Sequence, residues 1–597
     1  MTKNMDKHFA ISDYIWRKKY RYSDEDIVWD KDVEATWHRV AKALASIEKD
    51  NTTKWEQDFF YLLKDFKFLP GGRILANAGT EHQATLLNCY VMGTIDDSID
   101  GIFNGLKEGA ITMQQGGGVG YDFSTLRPSG SDAITVGNIA SGPVSFMRIW
   151  DSMCATIQST GARRGAMMAT LRCDHPDIEE FINVKKDANE LRHFNLSVLV
   201  SDAFIDAIKK DDDWPLVFPC IHNDIETKED VACKIHRVVK ARELWNKLMR
   251  ATFDYAEPGV LFIDRINQMN NLNYCEQISA TNPCGEVPLP PYGACDLGSI
   301  NLTAFISEPF TNNSRFDMEA LKEIVPTAVR MLDNVLDVSH YPLPIQKEQA
   351  QSSRRIGLGV TGLADTLLML GMSYGDEDSL SFAASIMKTI CHTAYRASIE
   401  LAKEKGSFSL FNSKLYSGNP FIQSLPKDIQ QDIEQYEIRN SHLIAIAPTG
   451  TISLFANNIS SGIEPVFDLE YDRTIIETGG EKKQYHLCDF AYEQWIDSGD
   501  HNQLPEYFLT AHEIEPLKHL KMQAVLQPYV DNSISKTINV PEDYPFSEFE
   551  TLYEEAYRLG LKGCTTFRAN PVTGSVLGFK ATPDNASHCC SMEREAD

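Results

Sequence analysis

Residues 279–302 read SATNPCGEVPLPPYGACDLGSINL. A thiol, Cys284, stands two residues from an amide, Asn282, and two from a carboxylate, Glu286, and a second thiol, Cys295, follows. Pro283 disfavours helical dihedrals at Asn282, and Gly285 with Pro288, Pro290 and Pro291 keeps a helix from starting. The segment is expected to be extended. On an extended chain residues i, i+2 and i+4 share a face, which would set Asn282, Cys284 and Glu286 on one side.

Two chemistries are open to such a thiol. As a thiolate nucleophile, Cys284 needs a cation or a histidine to lower its pKa. No His or Arg lies between 266 and 314, and a carboxylate on the same face pushes a thiol up. As a neutral thiol, Cys284 gives up a hydrogen atom and becomes a thiyl radical, with Glu286 as general base and Asn282 as hydrogen-bond donor. Cys295 follows a PPYG turn able to return it beside the first strand, where it would supply reducing equivalents. Two-electron reduction needs a dithiol, so a third cysteine is expected from elsewhere in the chain. A structural zinc site on Cys275, Cys284 and Cys295 lacks the close C-x-x-C spacing of such sites.

The elements that carry these groups fall into three stretches of the 597 residues. Residues 1–70 read as helical, with apolar positions at helical spacing in VEATWHRVAKALASI and WEQDFFYLLKDFKFL, the second stopped by PGG. From 71 to 570, short apolar runs alternate with helical patterns and Gly-rich loops, an α/β texture. Helices are expected in PVSFMRIWDSMCATIQ, in ARELWNKLMRATFDYAEPG, in MEALKEIVPTAVRMLDNVLDV with a bend at Pro326, and from Ser379 to Lys405. LIAIA, before the small-residue loop PTGT, reads as a buried strand. Residues 571–597 form a polar tail with Cys589 and Cys590.

Composition narrows the function classes. Apolar residues make up 43% and charged residues 24%, ordinary globular proportions. Lys and Arg total 57 against 84 Asp and Glu, a formal charge of -27, so the mean field repels nucleic acid. No segment offers eighteen uninterrupted apolar residues, and no secretory h-region opens the chain, so a cytoplasmic protein without a membrane partner is expected. Thirteen cysteines are then mostly free thiols. Cys154, Cys173, Cys220, Cys233, Cys275, Cys391 and Cys488 are read as packing residues, and Cys564 as a buried thiol or a further participant.

NPCGE followed by GACDLGSINL resembles the radical-cysteine loop and redox cysteine of ribonucleotide reductases, above all those of class II, which depend on adenosylcobalamin. LLNCYV, with Cys89, is similar to the partner redox cysteine. APTGTISL is similar to the loop that holds substrate phosphates. GGGVGYDFSTLRPSGS and GARRGAMMATL resemble the loops of the allosteric specificity site. These motifs occur in family order from about residue 60 to 580. Class I enzymes carry adjacent tyrosines near the C-terminus, and no YY pair occurs here; the glycyl-radical motif of class III is also not visible.

The resemblance implies a ten-stranded α/β barrel, built as two five-stranded halves, with Cys284 on a loop through its centre and an N-terminal helical region without an ATP-cone. It implies reduction of ribonucleotides by a Cys284 thiyl that adenosylcobalamin initiates. Glu286 would accept the 3′-OH proton, Asn282 would orient the sugar, and Cys89 and Cys295 would oxidise to a disulfide. Asn88, Gly118, Pro448, Thr449, Gly450, Thr451 and Ile452 are implied substrate contacts. Asp97, Arg127 and Arg163 are the candidates for a dNTP or ATP specificity effector, with Asp96 an equally close alternative to Asp97. Cys589 and Cys590 would shuttle electrons from a thioredoxin- or glutaredoxin-like reductant, although relatives separate this pair. A homodimer is implied. Two other readings are a class I-type large subunit served by a separate metal-radical subunit, and an inactive nucleotide-binding homologue.

Overall fold

The computed structural model describes residues 11–568 except 25–26, 134–137, 160–162, 188, 219–233, 477–481 and 500–502. The strands used below are β1 Phe68–Pro70, β2 Cys89–Val91, β3 Gly118–Asp122, β4 Met167–Arg172, β5 Phe194–Val200 and β6 Gly259–Phe262, then β7 Ala280–Thr281, β8 Pro288–Leu289, β9 Ala294–Asn301, β10 Ile356–Thr361, β11 Thr537–Val540 and β12 Gly563–Arg568. The helices used are α1 Val33–Ala45, α2 Thr52–Leu63, α3 Ile99–Gln114, α4 Pro143–Thr156, α5 Ala241–Tyr255, α6 Met318–Val338, α7 Glu377–Lys405 and α8 Gly450–Phe455.

The N-terminal helices form where apolar spacing placed them. Asp32 caps α1 by accepting from the Ala35 amide at 2.8 Å, and Val40, Ala41, Leu44, Phe59 and Leu63 bury their side chains between α1 and α2. The second helix ends at Leu63, before PGG, because Phe68 and Leu69 are drawn into the core as β1, antiparallel to β9. Helix α6 continues through Pro326, and α7 stops at Gly406.

Strands β2, β3, β4, β5 and β6 lie side by side, all parallel. Strand β9 runs antiparallel to β2 and parallel to β10, while β12 runs antiparallel to β6 and parallel to β11. The result is one mixed sheet of ten strands with the helices packed outside it. Its ladder does not close continuously. The LIAIA segment, expected as a strand, is buried and extended but joins its neighbours through single-residue bridges, Leu358↔Ile444 and Ile446↔Ile534, both parallel. The second bridge leads directly into β11, so β9, β10, LIAIA, the 534–540 segment and β12 make a second set of five parallel segments opposite the first. Asp531 accepts from the Leu443 and Ile444 amides at 2.8 Å each and anchors LIAIA where ladder bonds are few.

Inside the curved sheet lies a small apolar cluster of Cys89, Val91, Ala280, Val287, Leu289, Cys295, Leu297, Ala445 and Ala447. Its central members belong to the β7–β8 hairpin, which passes through the middle of the sheet. A Cβ built on Gly120 of β3 would stand 1.8 Å from the Thr281 carbonyl oxygen, so the hairpin passes only because that position has no side chain.

Candidate functional site

The Cys284 segment is a turn, not the extended strand its sequence suggested. Strands β7 and β8 pair Ala280 with Leu289 and Thr281 with Pro288, and the chain between them reverses. The Gly285 amide donates to the Asn282 carbonyl at 3.1 Å, and Gly285 adopts φ +82°, a left-handed conformation natural to glycine. The Asn282 side chain completes the turn by accepting from the Val287 amide at 3.0 Å. Pro283 and Pro288 prevent helix as expected, but one glycine at the tip lets the chain fold back instead of running straight.

The turn gathers Asn282 and Glu286 on Cys89, where the extended reading sets them beside Cys284. Asn282 and Glu286 are fully buried. Asn282 Nδ2 donates to Cys89 Sγ at 3.2 Å, and Cys89 Sγ lies 3.9 Å from Glu286 Oε1. Cys89 is the register partner of Cys295 across the β2–β9 ladder. Cys295 therefore faces Cys89 across the ladder, in one apolar cluster with Ala280, Val287 and Leu289 of the hairpin. Cys284 itself is partly exposed and lines a cavity of about 370 Å³.

Burial sets the protonation of this group. It pushes the Glu286 carboxyl up to about 7, against the pull of hydrogen bonds from its own backbone, Asn282 and Cys89. Burial also holds the Cys89 thiol well above its usual range, helped by Glu286 and by the Cys295 and Cys284 thiols. Cys295 is raised for the same reason, with Asp296 adding to burial. Cys89 and Cys295 are thus neutral thiols beside a carboxyl that titrates near neutrality, a state suited to hydrogen and electron donation.

Of the expected substrate contacts, Pro448 and Gly450 share the cavity wall with Cys284. Thr449, Thr451 and Ile452 are buried at or within the start of α8. The Thr449 hydroxyl lies 2.9 Å from that of Thr361 and accepts from the Gly462 amide at 2.7 Å. Gly118 is the register partner of Cys89, and its amide donates to the Asn88 carbonyl at 2.8 Å. The Asn88 amide is buried with neither polar atom hydrogen-bonded.

Asp97 and Arg127 are not among the residues that line this cavity. Arg127 Nε donates to Asp97 Oδ2 at 2.7 Å, and the Arg127 amide donates to Asp97 Oδ1 at 3.1 Å, while the backbone of Arg163 pairs with Ser159. Cys154, Cys173 and Cys391 are buried as expected, whereas Cys275 is exposed. Cys564 is buried in the cavity wall. Cys220, Cys233, Cys589 and Cys590 lie outside the described residues.

Sequence reasoning missed the tethers of the hairpin. Thr170 Oγ1 donates to the Ser279 carbonyl at 2.7 Å, Asn195 Nδ2 to the Pro283 carbonyl at 2.8 Å, and the Ser533 amide to the Glu286 carbonyl at 2.8 Å. The available signal was a polar residue inside an apolar strand, as with Asn195 in FNLSVLV.

Residues 87–567 match the family model described as ribonucleotide reductase, barrel domain, and residues 9–83 match that described as ribonucleotide reductase, all-alpha domain. The chain belongs to the ribonucleotide reductase family. Among curated reductases, it is 37% identical to the "Vitamin B12-dependent ribonucleoside-diphosphate reductase" of Mycobacterium tuberculosis, over 91% of this chain and 74% of that protein. A reductase of the same name from Thermoplasma acidophilum is 36% identical, over 87% of this chain and 66% of that protein. The "Ribonucleoside-diphosphate reductase subunit alpha" of Chlamydia pneumoniae is 28% identical, over 91% of this chain and 57% of that protein. In this reductase the cysteine turn, the cysteine pair and the cavity therefore sit within the matched barrel domain.

Proposed function

We propose that this reductase converts ribonucleoside diphosphates to 2′-deoxyribonucleoside diphosphates, with adenosylcobalamin as the source of its radical. The observation that carries the reading is the convergence of Asn282, Glu286, Cys89 and Cys295 behind a turn whose thiol, Cys284, opens onto a nucleotide-sized cavity.

The cavity wall has an apolar side that suits contact with the edge of a corrin. Leu261, Ile459, Val466, Phe467 and Tyr471 form that side and would contact the cofactor where it meets the cavity, and among the described residues no histidine lines it. When bound, adenosylcobalamin would supply the one-electron chemistry by which Cys284 becomes a thiyl.

The remaining steps belong to the chain's own residues. The Cys284 thiyl takes the 3′-hydrogen of the ribose, and Glu286 accepts the 3′-OH proton. The 2′-hydroxyl leaves as water. Cys89 and Cys295 together give up two hydrogens and become a disulfide, which balances the loss of one oxygen. Cys284 returns its hydrogen to C3′. Identities of 37% and 36% to two vitamin B12-dependent ribonucleoside-diphosphate reductases, against 28% to the subunit-alpha relative and 26–27% to the vitamin B12-dependent ribonucleotide reductases of Streptomyces, place the support for cobalamin in the first two relatives alone.

Homodimerisation is part of this proposal. Ile99 and Phe103 on α3 are 63% and 48% exposed, and Ile149 on the neighbouring α4 is 36% exposed, an apolar surface suited to a second copy. Asp97, Arg127 and Arg163 are proposed to read a dNTP or ATP effector. A thioredoxin- or glutaredoxin-like protein is proposed to regenerate the dithiol through Cys589 and Cys590, in the cytoplasm. Among the described residues no helix is long and apolar enough to cross a membrane.

The test is an assay of purified protein with a dithiol and either CDP or CTP, with and without adenosylcobalamin. Cobalamin-dependent dCDP is expected. Deoxyribonucleotide formed equally without cobalamin would contradict the cofactor assignment.

A further inference from the structure

Asn195 lies on β5, where the strand borders the cavity that Cys284 also lines. Its Nδ2 donates to the Pro283 carbonyl oxygen at 2.8 Å. That oxygen belongs to the planar peptide group joining Pro283 to Cys284, so the bond fixes the plane from which the Cys284 Cα departs. With the plane fixed, the direction of the thiol depends on the remaining soft torsions of Cys284 alone.

The ring of Pro283 is approached from another side. A Cβ built on Gly118 would come within 3.1 Å of Pro283 Cγ, so β3 lies close to the proline ring while β5 holds its carbonyl. Pro283 has no N–H with which to tie itself down. The other tethers grip the hairpin at Ser279 and Glu286, before and after the tip. Asn195 is a side chain that reaches the peptide carrying the thiol.

We propose that Asn195 is a positioning residue for the reaction: its amide aims the Cys284 thiol at the substrate by clamping the Pro283–Cys284 peptide. The inference rests on the reading of Cys284 as the hydrogen-atom carrier. A direct contact between Asn195 and substrate is the competing role, because Asn195 also faces the cavity.

The experiment compares kcat, KM and thermal midpoint for the cofactor-loaded wild type, Asn195→Ala, Asn195→Asp and Cys284→Ser. Asn195→Ala is expected to lower kcat by up to about 100-fold, the scale of an ångström-level misplacement, with KM and thermal midpoint unchanged. Asn195→Asp keeps the shape but, when ionised, aims an acceptor at a carbonyl; protonated, it donates again. Its kcat relative to wild type should therefore rise as pH falls. Wild-type kcat in both Asn195 variants would overturn the proposal, as would a raised KM at unchanged kcat. A fall in kcat that merely tracks a fall in thermal midpoint, with no pH-dependent recovery in Asn195→Asp, would also overturn it. Inactive Cys284→Ser beside fully active Asn195 variants would sink this inference alone, whereas an active Cys284→Ser would sink the underlying reading.

Discussion

Cys89 on β2 and Cys295 on β9 are opposite one another in an antiparallel ladder. Directly opposed residues in such ladders have Cα atoms about 4.5 or 5.5 Å apart, and both spacings fall within the range a disulfide spans. That register puts the pair within the Cα separation a disulfide spans. Replacing either cysteine by serine should limit the enzyme to at most a single product per active site. Product counted against enzyme with excess dithiol checks this, and sustained turnover in either variant would separate the pair from the reduction.

Glu286 should govern the acid side of the pH profile. Its carboxyl is raised to about 7 by burial, and the ionised form is the base, so kcat/KM should fall as pH drops below about 7 and level off above it. Glu286→Gln should abolish turnover. The same shift acts on stability with the opposite sense. Between its ordinary value and about 7 the native state holds a proton that the unfolded chain has released, so this carboxyl's contribution to stability falls as pH rises through that window and is constant above it. From the shift to about 7, Glu286→Gln should be more stable than wild type by about 3 kcal/mol at pH 8 and by little at pH 4. Denaturant unfolding at the two pH values measures the difference.

Much of the α/β texture was legible because long helices announce themselves by apolar spacing: α1, α5 and α7 form close to where the periodicity put them. The chemistry at Asn282, Cys284 and Glu286 was legible in residue type but not in shape. Two prolines exclude helix from that segment, yet whether it runs straight or turns back depends on Gly285 adopting positive φ and on a passage being open across Gly120. The second is a contact between residues far apart in sequence. The pairing of Cys295 with Cys89 is likewise decided by sheet topology. LIAIA was legible as buried and extended, but its neighbours come from β10 and from the segment ahead of β11.

Gly120 should tolerate no side chain. In Gly120→Ala the new methyl would meet the Thr281 carbonyl oxygen at 1.8 Å, so either β3 or the hairpin must move, at a cost of about 1–3 kcal/mol and with loss of turnover. Gly499→Ala, where a Cβ meets nothing within 4 Å, is the control and should change stability by about 0.5 kcal/mol or less. Equal behaviour of the two variants would show that the hairpin does not depend on the passage at Gly120.

A charge placed on the apolar surface of α3 should weaken self-association. Phe103 is 48% exposed, and Phe103→Asp is expected to shift the protein toward monomer in sedimentation velocity while leaving its thermal midpoint close to wild type. An unchanged sedimentation profile would place the subunit contact elsewhere.

The central claim is that a single sulfur, that of Cys284, takes the hydrogen from C3′ of the ribose and gives it back. The most direct measurement follows deuterium at C3′ of the ribonucleotide through turnover. The account predicts slower turnover than with the protium substrate and deuterium retained at C3′ of the deoxyribonucleotide. Equal rates, with no sign that the C3′ bond is ever broken, would contradict it.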